Sequence, residues 1–163
     1  MPDALALGAI PFFAGRVEKS VAAELHIATI LSSCALPVGV AAGLRPQDAT
    51  ACALVFALGF CAATLAVRAT IAVQRREPSA MLRAGAVVLA LGSPLFVRAA
   101  APGLLLDPMA WIATVPLALL ALVLVAAPPS ARHLHRIGWS LSAASSVAAI
   151  VLVLVIRARL ASP

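Results

Sequence analysis

The sequence predicts an all-α fold: a polytopic bundle of transmembrane helices with five spans, or four if one apolar run does not cross. Three observations support this prediction. Of the 163 residues, 63% are hydrophobic and 11% are charged, whereas a soluble domain has about a quarter of its residues charged. The hydrophobic residues gather into runs near the roughly 20 residues that a membrane helix needs. Short polar breaks separate the runs, so residues 1–163 are predicted to form a single integral membrane domain.

The first two spans are predicted at residues 21–44 and 49–67. The apolar run at residues 4–15 is too short to cross, and we expect an interfacial segment or the end of an earlier helix there. Pro46 predicts a turn between the spans because proline cannot continue a helix. We expect Asp48 to cap the second span, since its carboxylate can accept from the unpaired N–H groups of the first turn.

The third span, residues 84–106, is the one whose crossing the sequence leaves open. The run is long enough to cross, but it contains Arg98 and is interrupted by Pro94 and Pro102. Proline removes a backbone hydrogen bond and kinks or ends a helix. The chain therefore has five spans if this run crosses and four if it does not.

The last two spans are predicted at residues 109–127 and 137–156. Asp107-Pro108 opens the fourth span like a capped helix with proline in its first turn. Trp111 and Trp139 lie near the starts of these spans, where an indole can keep its ring in the apolar zone and its N–H near water. We interpret both as interface anchors.

The positions of the cations predict the orientation of the chain, because lysine and arginine are retained on the cytoplasmic side. With five spans and an internal N-terminus, eight of them are cytoplasmic and four are external; with four spans the counts are nine and three. Both arrangements place the N-terminus in the cytoplasm. The net charge of +6 lies in breaks between apolar runs, which indicates the lipid bilayer as partner and not nucleic acid.

Small residues indicate where the helices pack, since helices in lipid associate through close contact. Gly39 and Gly43 form a GxxxG pattern in the first span, and Gly59 lies beside Ala62 and Ala63 in the second. These positions fit packing within one chain, or an oligomer or association with other membrane subunits.

No catalytic motif is present. The sequence contains no Walker loop, GxSxG or HExxH pattern and no paired carboxylates. His133 and His135 are two residues apart, a spacing that splays two imidazoles on a helix, so we predict no metal site there. We therefore predict no catalytic residue, no metal and no cofactor. We interpret the chain as a non-enzyme, and catalysis is kept as the alternative.

Two polar residues lie inside predicted spans, where charges are costly unless paired or hydrated. Glu24 either takes part in proton or substrate movement or reaches the nearby interface. Arg98 either lines an internal cavity or lies at the outer interface because its helix ends early beside Pro102.

The polar stretch between the second and third spans, residues 68–83, is predicted to be a loop or an amphipathic helix end. It contains four arginines, Arg68, Arg75, Arg76 and Arg83. Guanidinium groups bind phosphate well, so these residues are candidates for an anionic lipid head group or a diphosphate. The four arginines are explained equally well if their charge serves only to orient the chain in the membrane.

Three stretches extend over most of the chain: Arg16-Val17-Glu18-Lys19-Ser20 leading to Glu24-Leu25, Ala66-Val67-Arg68 closing a span, and His135-Arg136-Ile137-Gly138-Trp139 opening the last one. In them the chain resembles the YwiC-like family of bacterial membrane proteins, which is similar in architecture to the UbiA prenyltransferases. The resemblance implies that this chain is the C-terminal part of a longer family member.

The resemblance also implies an isoprenoid or lipid ligand. UbiA-type enzymes hold magnesium and a prenyl diphosphate with aspartate-rich cytoplasmic loops, and residues 68–83 would lie where the second such loop belongs. This stretch contains Glu77 and no aspartate, so no catalytic residue can be carried over. The leading expectation is a YwiC-like multi-pass inner-membrane protein without a catalytic motif. The alternatives are a membrane prenyltransferase-like protein or its degenerate half, and a small transporter or transporter subunit that uses Glu24 and Arg98.

Overall fold

The computed structural model describes residues 20–104, 107–130 and 134–161, and within these ranges the chain is helical without strands. The predicted all-α fold is confirmed. In chain order the helices are α1 (Val21–Ser33), α2 (Ala35–Ala41), α3 (Pro46–Gln74), α4 (Ala80–Ala100), a short 3₁₀ helix (Ala110–Thr114), α5 (Val115–Ala126) and α6 (Leu134–Ala161).

The described part of the chain contains four helical stretches long and apolar enough to cross a bilayer: Val21–Ala41, Pro46–Gln74, Ala80–Ala100 and His135–Arg159. A fifth, Ala110–Ala126, is equally apolar but shorter. At 1.5 Å per residue it is about 25 Å long, slightly less than a hydrocarbon core of about 30 Å. These lengths and compositions are those of a multi-pass membrane protein.

Consecutive helical segments alternate in direction. Glu24 at the start of α1 pairs with Arg68 near the end of α3, so these two helices are antiparallel. Leu117 of α5 packs against Gly59 of α3, and Leu124 lies beside Thr70, so α5 runs parallel to α3. The alternation brings the starts of α1, α4 and α6 and the ends of α3 and α5 to one end of the bundle, called the Arg68 end below.

The opposite end, called the Asp48 end, holds the start of α3 and the ends of α2, α4 and α6. There Asp48 in the first turn of α3 accepts from Arg159 in the last turn of α6 at 3.3 Å. Arg45 donates its Nε–H to the same carboxylate at 3.0 Å. Asp48 is only 3% exposed, so the two guanidinium groups neutralise a buried charge.

The expectation that Asp48 caps α3 is wrong. The helix begins at Pro46, and its N-cap is Arg45, whose backbone is extended. Proline fits the first helical position because its fixed φ suits the helix and its missing N–H would have no partner there. Pro46 therefore shifts the cap to the preceding residue, and Asp48 lies inside the first turn.

The first predicted span is divided into two helices at Cys34. Pro37 has no N–H to donate to the carbonyl of Ser33, and its ring would clash with that carbonyl in a regular helix. The Cys34 N–H instead donates to Leu31, three residues back, at 3.3 Å. Proline thus bends this span without ending it.

Gly39 and Gly43 have different structural roles and do not form one packing motif. A Cβ at Gly39 would lie 3.0 Å from the Cβ of Ala49, so Gly39 allows α2 to approach α3 closely. Gly43 has a φ of 85° and ends α2. Its N–H donates to Val40 and that of Leu44 donates to Gly39, both at 3.0 Å, which is a Schellman motif.

The longest helix, α3, is the centre of the bundle and contacts every other helix. In the most apolar 18-residue stretch of α3, 44% of the residues are buried, whereas the corresponding share is at most 22% in the other three long helical stretches. Most of its buried side chains are alanines, which let the neighbouring backbones approach. The core is therefore a set of close helix contacts around α3.

The expectation that Asp107 and Pro108 open a helix as its cap and first turn is wrong, because the 3₁₀ helix begins at Ala110 with Met109 as its N-cap. Asp107 accepts from the Met109 N–H at 2.7 Å, and the 3₁₀ turn that follows passes into α5 at Val115. Trp139, at the start of α6, is 68% exposed and donates its indole N–H to His135 Nε2 at 3.2 Å.

Candidate functional site

A groove of about 870 Å³ runs between α1 and α3 and is also lined by Leu141 of α6. Its volume is within the range of small-molecule sites. Most of its wall is apolar, and Thr64 adds a hydroxyl group. Among the described residues, three charged ones line it, Glu24, Arg68 and Arg75, and all three belong to the Arg68 end. The apolar lining residues are Ile27, Ala28, Leu31, Phe60, Ala63, Val67, Ile71 and Leu141.

Helical periodicity explains how α3 forms one wall. Counted from Phe60, its lining residues recur at positions 3, 4, 7, 8, 11 and 15, ending at Arg75, which places them on one face. At 1.5 Å per residue this face is about 22 Å long. The groove is therefore elongated, with charge at one end and hydrocarbon along the rest.

A bidentate ion pair crosses the groove at its charged end. Arg68 donates Nε–H to Glu24 Oε2 at 2.6 Å and Nη2–H to Oε1 at 2.5 Å. The planar guanidinium matches a carboxylate in this geometry. The Arg68 and Glu24 side chains are 26% and 35% exposed, respectively. The pair joins α1 to α3 and offsets the cost of placing either charge beside lipid.

The depth of this pair follows from its helix positions. Glu24 is in the first turn of α1. Arg68 precedes the last residue of α3 by six residues, or about 9 Å. The pair thus lies just inside the end of the bundle.

Arg75 lies seven residues after Arg68, on the same face of α3, and it is exposed where the helix ends. Within the described part of the chain no carboxylate forms an ion pair with Arg75. Because Glu24 and Arg68 neutralise each other, the charged residues that line the groove have a net charge of +1 at pH 7. Arg75 is the cation that a negatively charged ligand would meet.

Arg76 and Arg83 do not line the groove. Arg76 has a φ of 58° and ends α3 in a Schellman motif, in which the Glu77 N–H donates to Ala72 at 2.9 Å. Arg83, in α4, donates Nη2–H to the carbonyl of Val125 at 3.0 Å and so satisfies an acceptor at the end of α5. Of the four predicted arginines, the structure brings Arg68 and Arg75 together at the groove.

The two polar residues predicted inside spans lie at opposite ends of the bundle. Glu24 is at the Arg68 end, in the groove. Arg98 is at the Asp48 end, exposed in the last turn of α4, because this helix ends at Ala100. The fold does not bring the two side chains together.

Sequence reasoning missed the partner of Glu24. A signal existed, because a carboxylate inside a span requires a partner. Adjacent antiparallel spans place the start of one beside the end of the other, where Arg68 closes the second apolar run. The pairing of Asp48 with Arg159 was missed because 111 residues separate them.

In the described ranges, no three His, Cys, Asp or Glu side chains are grouped so that they could hold a metal ion. Cys34, Cys52 and Cys61 are free thiols. His133 lies outside the described residues, as do residues 16–19 of the stretches that carry the resemblance.

No family model, curated protein or solved structure matches the chain. The groove and its charges are therefore the features of this chain that indicate a function.

Proposed function

We propose that this protein binds an anionic amphiphile within the membrane. The tail lies along the apolar wall between α1 and α3, and the head group lies at Arg75 beside the Glu24–Arg68 ion pair. The observation that carries the proposal is the polarity of the groove, which has charge at one end only. An acyl or isoprenoid lipid has the same division into a long apolar part and a charged end.

The head-group chemistry follows from the side chains at the charged end. Guanidinium groups bind phosphate and carboxylate through short charge-assisted hydrogen bonds. Arg75 is exposed and lies about two turns beyond the ion pair. A phosphate there would lie near water while its tail stays among the lining residues Ile27, Val67 and Ile71.

We further propose that the protein crosses a bacterial inner membrane five times, with the Arg68 end in the cytoplasm. The alternating direction of five helical segments supports an odd number of crossings. The positive-inside tendency supports the orientation, since Arg75, Arg76, Arg83 and Arg136 are at the Arg68 end. The short Ala110–Ala126 segment can be accommodated by local thinning of the bilayer.

Fusions after Pro163 test this topology. An alkaline phosphatase fusion is expected to be active and a fluorescent-protein fusion dark, because phosphatase needs the oxidising exterior to fold. A bright fluorescent fusion with inactive phosphatase would place the C-terminus in the cytoplasm, and the proposal of five crossings with the Arg68 end inside would be wrong.

We also propose that the chain is related to the YwiC-like family. The protein binds the amphiphile in this proposal without catalysing a reaction on it. A groove that holds an amphiphile would also suit a degenerate prenyltransferase, and turnover of a labelled prenyl diphosphate with magnesium would support that reading. No contact favours the transporter hypothesis, since Glu24 and Arg98 lie at opposite ends.

Lipid retention by purified protein tests the binding proposal. Lysophosphatidylglycerol is added to protein in a neutral detergent, and bound lipid is measured by native mass spectrometry. Ala28→Phe, which fills the groove from α1, is expected to lower the affinity at least about tenfold, since much of the buried tail area is lost. Ala22→Phe is the matched control, because Ala22 is exposed on the same helix and does not line the groove. Equal affinities for the two variants would overturn the proposal.

A further inference from the structure

We infer that the groove selects a head group with a single negative charge, such as the phosphodiester of a phosphatidylglycerol-type lipid, and that Glu24 sets this selectivity. The inference rests on the proposed amphiphile binding and goes beyond it by naming the ligand class. It discriminates against two alternatives, a phosphomonoester or diphosphate and a zwitterionic head group.

The charges of the lining residues are the first step. Glu24 occupies two donors of Arg68 through its bidentate contact, and each charge cancels the other. Arg75 then contributes the one net positive charge among the lining residues. A monoanionic phosphodiester brings this charge to zero, so the head group is neutralised with no excess of either sign.

A more highly charged head group lacks a second cation. A phosphomonoester has about −1.5 to −2 charges at neutral pH, and a diphosphate has more. Their second charge exceeds what Arg75 offers, because among the described lining residues the guanidinium of Arg68 is already occupied by Glu24. To bind Arg68, such a head group would have to displace the Glu24 carboxylate, which disfavours it.

A zwitterionic head group lacks a partner for its cation. Among the described residues, Glu24 is the one carboxylate that lines the groove, and both of its oxygens accept from Arg68. An ammonium or choline group beside Arg75 would either remain in solvent or compete with Arg68 for that carboxylate. The groove therefore favours a head group with a negative charge and no positive one.

Glu24 is accordingly a positioning residue that also limits charge. Glu24→Gln keeps a side-chain oxygen that accepts from Arg68, but it removes the negative charge. The net charge at the groove rises from +1 to +2 in this variant. A dianionic head group should then bind better than a monoanionic one, a reversal that a purely structural role for Glu24 would not produce.

The experiment uses three lipids with the same single acyl chain and head groups of different charge: lysophosphatidylglycerol, lysophosphatidic acid and lysophosphatidylcholine. Affinities are measured for the full-length protein in neutral detergent. The wild type is expected to bind lysophosphatidylglycerol about tenfold more tightly than lysophosphatidylcholine, because both phosphodiesters can accept from Arg75 but the choline cation is repelled by it. It should also prefer lysophosphatidylglycerol to lysophosphatidic acid. Inorganic phosphate should not compete, because it has no tail.

Variants then test the contribution of each charged residue to the lipid preference. Glu24→Gln should reverse the preference in favour of lysophosphatidic acid, and Arg75→Gln should abolish the discrimination against lysophosphatidylcholine. Arg76→Gln is the matched control, since Arg76 is adjacent but does not line the groove, and its preferences should equal those of the wild type.

The comparison of the three lipids on the wild type tests the inference even if a variant does not fold. Tighter binding of lysophosphatidic acid to the wild type would overturn the selectivity. Equal binding of all three lipids, still weakened by Ala28→Phe, would overturn the selectivity and leave the groove as the site. Binding that Ala28→Phe does not weaken would overturn the proposed function itself.

Discussion

Replacing Gly59 by alanine should force the two central helices apart. A Cβ at this position of α3 would lie 2.9 Å from the Cβ of Leu117 in α5, and nearer still to its Cδ1. Carbon atoms in good contact are about 3.5–4.0 Å apart. Leu117 is fully buried, so its side chain cannot move into open space. The added methyl group must therefore be accommodated by strain or by a shift of the helices.

The magnitude follows from two opposing effects. Overpacking of this kind costs about 1–3 kcal/mol. Alanine is a better helix former than glycine by about 1 kcal/mol, which offsets part of the cost. Gly92→Ala provides the matched control, because Gly92 is inside α4 and a Cβ there meets nothing within 4 Å. The helix-propensity gain is common to both variants, so the difference between them isolates the packing cost.

Thermal unfolding in mild detergent measures this difference. A domain of 150–250 residues changes its Tm by about 2–4 °C per kcal/mol. Gly59→Ala should therefore unfold roughly 2–12 °C below Gly92→Ala, from the packing cost of about 1–3 kcal/mol. In a Leu117→Ala background the penalty of Gly59→Ala should shrink, because the crowding Cγ and Cδ1 atoms are gone. Equal Tm values for the two glycine variants would refute the close approach of α3 and α5.

Three further predictions concern charges and backbone strain, each measured by thermal unfolding. Arg68→Gln should destabilise the protein by about 1–3 kcal/mol, the value of a charge-assisted contact. The double variant with Glu24→Arg and Arg68→Glu should recover much of this lost stability. A double variant that is less stable than either single variant would contradict the pairing. Arg159→Ala should cost about 1–3 kcal/mol, because it leaves the buried carboxylate of Asp48 with Arg45 alone. Asp48→Ala should cost less, since it removes the buried charge and leaves two guanidinium groups that are 48% and 33% exposed. Arg76→Gly should raise stability by about 1 kcal/mol by relieving the left-handed backbone, and a lower Tm would argue against that conformation.

The apolar runs predicted the number and order of the helical segments, but not their ends. The second predicted span stops at Val67, before the first charge, whereas α3 continues to Gln74. Hydropathy marks where side chains are apolar, and a helix continues through a charge that has a partner. Arg68 has such a partner in Glu24.

The candidate site was predicted in part. The sequence singled out four arginines, and their spacing places Arg68 and Arg75, seven residues apart, on one helix face. It could not show that Arg83 satisfies a carbonyl of α5, since that contact joins residues 42 positions apart. It also did not reveal the apolar wall of the groove, because the lining residues of α1 and α3 look like any other residues of a membrane helix.

The sequence by itself determined that this chain forms apolar helices. A chain this poor in charge enters the bilayer, and there the backbone must satisfy its hydrogen bonds within each segment, which a helix does. Only the tertiary structure decided which side chains meet: Glu24 with Arg68, Asp48 with Arg159, and Gly59 with Leu117. Such pairs depend on which helices are neighbours and on how closely they approach. That choice results from packing summed over many small residues, and no local pattern along the chain records it.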